Sequence, residues 1–258
     1  MTLNEAAVLV VDDEPALREI FTQWLALAGC PHITTAADGE EALALLKANS
    51  YDLLITDVRM PKMDGISLIR QLGQAEGSIP SIIFVSGFGD VDEREMYGLG
   101  VEAFLAKPLH RAELVNIMEK ALADRTALWL TPMTPPPRQS VVINTAGFDC
   151  RPETTQTEAM EKSYLCLGHG GFSASYSGPL SVGKVAFCCN FPQAQHRQLS
   201  GQGIVRWYSR AEQAVGIEFL FIDPSCRSWL LQELAATNPR SFIPVFSRDH
   251  ARTLQAAS

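Results

Sequence analysis

Four short apolar runs in the first half of the chain each stop at a side chain that an apolar core rejects. "AAVLVV" runs into Asp12 and Asp13, "YDLLITD" ends on Asp57, "SIIFVS" on Ser86 and "EAFLAK" on Lys107. None of these runs alternates apolar with polar residues, so each reads as a strand buried on both faces, the habit of parallel sheets. Helical patterns separate them. "PALREIFTQWLALAG" sets Leu17, Ile20, Phe21, Trp24, Leu25 and Ala28 at helical spacing, with Pro15 in its first turn and Gly29 at its end. "GEEALALLKAN" and "RAELVNIMEKALADR" are helical too. The alternation predicts an α/β domain, a doubly wound five-stranded parallel sheet with helices on both faces. Reactive groups in such sheets gather beyond the carboxyl ends of the strands. Asp12, Asp13, Asp57, Ser86 and Lys107 are therefore expected on one rim.

Three carboxylates packed together repel one another unless a cation joins them, and Mg²⁺ suits hard oxygen ligands. A carboxylate beside such an ion can attack an activated phosphoryl group and form an acyl phosphate. A serine hydroxyl and a lysine ammonium nearby would hold the phosphoryl oxygens. Taken singly, Asp12–Asp13 reads as a helix cap and Ser86 as a turn cap. Asp57 is harder to dismiss, because a charge at the end of a buried strand is costly without a role. Asp64–Gly65 reads as a turn.

The motifs "VVDDEP", "DLLITDVRMPKMDG", "FVSG" and "FLAKP" follow in an order and spacing that resemble a response-regulator receiver domain, of flavodoxin-like fold, over residues 1–123. The resemblance implies that Asp57 is the phosphoacceptor and that Asp12 and Asp13 are the acidic pair for Mg²⁺. It further implies the backbone carbonyl of Arg59 as a metal ligand, Ser86 and Lys107 as readers of the phosphoryl group, and a cis bond between Lys107 and Pro108. Phe104 stands at the switch-aromatic position, where the family often has Tyr; without a hydroxyl its inward swing rests on packing. Haloacid-dehalogenase-like phosphatases also use an aspartyl phosphate, but they need a second Asp where this chain has Arg59. The enzyme reading therefore loses.

"TALWLTPMTPPPRQS" divides the chain, with Pro132, Pro135, Pro136 and Pro137 suited to a stiff extended linker over 124–137. Beyond it, "SVVINT", "SYLCLG", "FSASYS", "KVAFCCNFP", "GQGIVRWYS" and "AVGIEFLFI" read as strands, and "DPSCRSWLLQELAA" as a helix capped by Asp223. In "KVAFCCNF" Val185, Phe187, Cys189 and Phe191 alternate with polar or small residues, whereas "IVRWYS" alternates poorly. A mostly β small antiparallel barrel is expected. Residues 1–123 hold 9 Lys/Arg against 19 Asp/Glu, and residues 124–258 hold 12 against 10. Neither half has the basic patch of a nucleic-acid binder.

The sequence "LGHGGFSA…GPLSVGKVAFCCNFP…GQGIVRWYS" resembles, more faintly, a PilZ domain over residues 138–236, followed by a tail over 237–258. PilZ domains commonly bind cyclic di-GMP through RxxxR and D/N-x-S-x-x-G. Here Gly171 fits the closing glycine, but Cys166 and Gly168 replace the polar readers and Arg138 stands alone. Each lost contact to a charged or polar group costs on the order of 1–3 kcal/mol, so no nucleotide binding is expected. Rebuilding the site would need arginines such as Arg151 or Arg206. Cys166-x-x-His169 offers two zinc ligands where a closed site wants four. The six cysteines (30, 150, 166, 188, 189, 226) follow no disulfide framework. Trp207, Tyr208 and Trp229 read as core. The tail carries two apolar patches, Phe242–Ile243 and Val245–Phe246; it reads as a flexible tail, the alternative being a strand or docking segment that packs on the barrel or a partner.

The expected protein is a cytoplasmic response regulator, not an enzyme, phosphorylated on Asp57 by a sensor histidine kinase. Its degenerate PilZ-like output domain acts through an unknown protein partner, without DNA binding or membrane insertion, and with homodimerisation open. The acidic start lacks a basic n-region, so no secretory signal is expected. The competing readings are a cyclic di-GMP effector gated by phosphorylation, and a β domain of another kind that serves to dimerise.

Overall fold

The computed structural model describes residues 1–74, 79–87, 92–123, 125–144, 165–191 and 197–245. Met1–Asp92 with Leu99–Asp124 form one compact unit, and Glu93–Gly98 with Arg125–Ser258 form a second.

In the first unit five parallel strands are interleaved with helices. They are β1 (Ala7–Val11), α1 (Pro15–Leu27), β2 (His32–Ala36), α2 (Gly39–Ala48), β3 (Leu53–Asp57), α3 (Gly65–Gln74), β4 (Ser81–Ser86), β5 (Val101–Ala106) and α5 (Arg111–Leu122). The sheet order is β2-β1-β3-β4-β5, the doubly wound order expected from the alternation. Val8, Val10, Ile55 and Val85 pack with Phe21 and Leu25 of α1 and Leu114 and Met118 of α5. Alternate residues such as Leu9 and Leu54 are equally buried and face the other way. Side-chain caps set where two helices begin. The Asp38 carboxylate accepts from the Glu40 and Glu41 amides at 3.0 Å, and Asp64 accepts from the Ser67 amide at 2.6 Å.

The second unit contains helix α4 (Glu93–Gly98), the short α6 (Arg125–Leu128) and a six-stranded sheet closed by α7 (Pro224–Thr237). The strands are β6 (Gln139–Asn144), β7 (Leu165–Leu167), β8 (Gly171–Ser175), β9 (Gly183–Phe191), β10 (Arg197–Ser209) and β11 (Ala214–Ile222). Their order is β6-β9-β10-β11-β8-β7, and β6 runs parallel to β9. The sheet therefore departs from the all-antiparallel barrel expected. A parallel neighbour needs a long crossover, and the stretch between Asn144 and Gly183 supplies one. Asp223 caps α7 through the Ser225 amide at 2.9 Å, and Cys226 and Leu230 enter the core.

The poor alternation of "IVRWYS" has a structural cause. The β10–β11 register shifts between Val205 and Trp207, a β-bulge. Val205 belongs to the main core and Tyr208 packs against it, while Trp207 joins a second cluster with Tyr97, Ala214, Phe242 and Ile243. Trp229 lies against the main core, its ring tilted against Phe191 with centroids 5.7 Å apart.

Candidate functional site

The strand ends of the first unit bring carboxylates together. One oxygen from each of Asp12, Asp13 and Asp57 lies within 4.8 Å of the others. Asp12 and Asp57 are buried and Asp13 is exposed. Their backbones are held by neighbours. The Asp12 Oδ1 accepts from the Glu14 amide at 2.9 Å, and the Arg18 guanidinium donates to the Asp12 carbonyl at 2.5 Å. Asp57 Oδ1 accepts from the Arg59 amide at 3.2 Å. The loop after β3 turns back so tightly that a Cβ on Gly65 would stand 2.3 Å from the Asp57 carbonyl oxygen. Glycine is required there by close approach.

Lys107 joins the cluster across the sheet. Its Nζ donates to Asp57 Oδ2 at 2.5 Å and to Asp12 Oδ2 at 3.0 Å. Burial works against its ammonium, but the hydrogen bonds to Asp57 and Asp12 prevail and hold its pKa up. Burial raises the Asp12 carboxyl above its ordinary range, against the Glu14 amide and Lys107, which both favour the charged form. One ammonium faces three carboxylates, leaving a surplus that suits a divalent cation with oxygen ligands. The residues fit Mg²⁺.

Ser86 ends β4, buried, with its hydroxyl donating to the Gly87 carbonyl at 3.2 Å. The Lys107 amide donates to the Ser86 carbonyl at 2.8 Å, which ties the two strand ends together. Lys107–Pro108 is cis. Phe104 is half-buried, its ring edge-on to Phe84 with centroids 5.8 Å apart. The rim thus gathers Asp12, Asp13, Asp57 and Lys107, with Ser86 and Phe104 on adjacent strands. Sequence reasoning missed Arg18 and Gly65. Arg18 sits one turn into the helix that follows Asp12–Asp13, a spacing that could have marked it.

These residues fall within a stretch, 8–119, that matches the family described as the response regulator receiver domain. Residues 8–119 are a response regulator receiver domain. The receiver domain is similar over 115 residues, at 39% identity, to the "Probable transcriptional regulator ycf27" of Cyanophora paradoxa, covering 44% of this chain and 47% of that one. It is 34% identical over 122 residues to the "DNA-binding transcriptional regulator NtrC" of Salmonella typhimurium, 47% of this chain and 26% of that one. A solved response regulator receiver protein from Pseudomonas putida is 37% identical, with a TM-score of 0.41, over 45% of this chain and 96% of that one. The chain spans about half or less of the length of these curated relatives.

In the second unit the glycine-rich stretch does not surround an open site. The His169 and Gly170 amides donate to the carbonyls of Ser241 and Phe242, each at 3.0 Å. A Cβ on Gly170 would fall 1.9 Å from the Phe242 ring, and one on Gly168 would lie 2.5 Å from the Phe242 carbonyl. These glycines admit a neighbouring stretch of the same chain. His169 Nδ1 lies 3.3 Å from the Pro239 carbonyl, and its ring packs edge-on to Phe242. Among the described residues, the group of three metal-ligating side chains is Asp12, Asp13 and Asp57, so Cys166 and His169 gain no third ligand. Cys189 is fully buried, and burial pushes its thiol well up, which makes it a poor ligand. Arg138 is exposed and Arg206 is paired with Glu218 at 2.6 Å. Arg151, Cys150 and Phe246 lie outside the described residues. No helix among the described residues is long and apolar enough to cross a membrane.

Proposed function

We propose that the chain receives a phosphoryl group on Asp57 from a sensor histidine kinase and passes the signal on through its second unit. The observation that carries this reading is the Lys107 ammonium spanning Asp57 and Asp12, inside a cluster of three carboxylates. An Asp57 oxygen attacks phosphorus while the phosphorus–nitrogen bond of the donor histidine breaks, and the departing imidazole takes up a proton. Asp12, Asp13, Asp57 and the Arg59 carbonyl would hold Mg²⁺, which would neutralise charge on the phosphoryl oxygens when bound. Lys107 stays charged and pairs with the new phosphoryl oxygens, and Ser86 turns from the Gly87 carbonyl to donate to one of them. Phe104 moves inward on packing alone. The chain is a signalling acceptor and not an enzyme with a turning-over substrate.

The second unit serves as a PilZ-like output that works through protein contacts, in a cytoplasmic protein without DNA binding. Its PilZ-like character rests on the sequence likeness. The cyclic di-GMP alternative is not adopted, since Ser241 and Phe242 lie against Gly168 and Gly170 and Arg206 is committed to Glu218. Incubation with acetyl phosphate and Mg²⁺, read by intact-protein mass, tests the reading. One added phosphoryl group that is lost in Asp57→Asn supports it. A chain that stays unmodified, or Asp57→Asn modified as well as the wild type, overturns it.

A further inference from the structure

The loop between β3 and α3 carries Arg59, whose carbonyl would complete the Mg²⁺ ligands. At its start the Arg59 amide donates to Asp57 Oδ1 at 3.2 Å, and the Gly65 amide closes back on the Val58 carbonyl at 3.0 Å. Between these points the chain reverses about a single residue. The Met63 amide donates to the Pro61 carbonyl at 2.8 Å, across Lys62, whose φ is +63°. This is a γ-turn of the rare, strained kind, and lysine occupies a conformation that suits glycine better. Such strain persists only where the surroundings impose it. Here the start of α2 does so. The Lys62 ammonium lies 2.5 Å from Asp38 Oδ2. Asp38 is buried, and its other oxygen accepts from the Glu40 and Glu41 amides at 3.0 Å, so it is fixed to α2 and not free to follow the loop. The Gly39 amide donates to the Met63 carbonyl at 3.1 Å, and a Cβ on Gly39 would stand 2.6 Å from that oxygen.

Stability does not account for this arrangement. The Lys62 side chain is 61% exposed, and an ion pair so open to water contributes little, while the left-handed backbone beneath it is unfavourable. We propose that Lys62 and Asp38 are positioning residues for phosphoryl transfer: their ion pair fixes the turn at 61–63, and through it the Arg59 carbonyl, so that this carbonyl and the Asp57 carboxylate meet the same cation. The inference rests on the reading of Asp12, Asp13 and Asp57 as a Mg²⁺ site. Neither Lys62 nor Asp38 would touch the ion. They act by ordering the loop beforehand, so that binding does not have to order it.

Two measurements on the full-length chain test this: calorimetric titration with Mg²⁺, and urea unfolding in the absence of metal. Asp38→Asn keeps an oxygen to cap α2 and loses the ion pair. Lys62→Gly loses the pair and suits the backbone of the turn. Each is expected to weaken Mg²⁺ binding roughly 10-fold while the urea midpoint stays near that of the wild type. Lys62→Arg keeps a cation and should bind Mg²⁺ as the wild type does. The double variant Asp38→Asn with Lys62→Gly should bind no more weakly than either single one, because both remove the same interaction. If Lys62→Gly unfolds, Asp38→Asn carries the test. A wild type that binds no Mg²⁺ overturns the reading of the carboxylates as a cation site, and the positioning role with it. A wild type that binds, with single variants of unchanged affinity, overturns the positioning role alone. So do losses that add in the double variant, a Lys62→Arg as weak as Lys62→Gly, or a loss of affinity matched by an equal loss of stability.

Discussion

The Lys107 ammonium lies 2.5 Å from Asp57 Oδ2 and also reaches Asp12, so one cation holds two buried carboxylates on neighbouring parts of the sheet. Removing it leaves both carboxylates uncompensated. Lys107→Ala should cost about 1–3 kcal/mol in the absence of divalent cations, less than a fully buried pair because Lys107 is partly exposed. Mg²⁺ should restore part of the loss. Thermal denaturation with and without Mg²⁺ checks this, and a loss that Mg²⁺ does not touch would count against the cluster as a cation site.

Asp12 gives a pH signature. Its pKa is raised mainly by burial, so the folded state holds the proton more tightly than the unfolded chain does. Without metal, the stability from this group is fully present below the ordinary carboxylate pKa and is lost as pH rises through the folded value. Mg²⁺ competes with that same proton, so its affinity should strengthen as pH rises through the same window. Asp12→Asn should stabilise the metal-free protein by about 1 kcal/mol and abolish this pH dependence. Urea unfolding and Mg²⁺ titrations across mildly acid pH read both effects.

Gly65 is constrained by the Asp57 carbonyl oxygen, 2.3 Å from where a Cβ would sit. Gly65→Ala must push the loop away from the end of β3 and should cost about 1–3 kcal/mol. Labelling by acetyl phosphate should fall with it, because Asp57 is displaced. A variant with wild-type stability and labelling would contradict this account.

Tyr97 is buried on α4, and burial pushes its phenol up to about 12. A raised phenol contributes stability that is present below pH 10 and lost as pH climbs to about 12, on the order of 2–3 kcal/mol in all. Absorbance titration should show a tyrosine step at about pH 12, and Tyr97→Phe should remove it.

Calorimetric titration with cyclic di-GMP should be silent, with and without beryllofluoride. Micromolar heat in either state would mean that Ser241 and Phe242 give way to the nucleotide.

What could be read from the sequence followed the physics of each half. In the first unit buried strands are continuous apolar runs, so their ends are sharp, and Asp57, Ser86 and Lys107 could be placed from the run that precedes each. Asp12, Asp13 and Asp57 do converge, as parallel strand order requires. Gly65 was read as a turn because a close approach to Asp57 leaves no periodic mark. In the second unit the strands were visible from alternation, but the parallel pairing of β6 with β9 was not, since pairing direction depends on a long connection. The role of Phe242 was the least legible. A short apolar patch in a tail looks the same in sequence whether it packs or not, and the partners of Phe242, Tyr97 and Gly170, lie far away in the chain.

The bulge between Val205 and Trp207 makes β10 sensitive to length in a way its composition hides. One added residue lets Val205 and Tyr208 serve the main core while Trp207 serves another cluster. Conservative exchanges at any of these positions alter volume alone. With the bulge in place, adding a residue between Arg206 and Trp207 would shift the alternation by one and send Trp207 and Tyr208 to the wrong faces. For this strand the count of residues is the more stringent inheritance, and an insertion there would be far harder to tolerate than a change of letter.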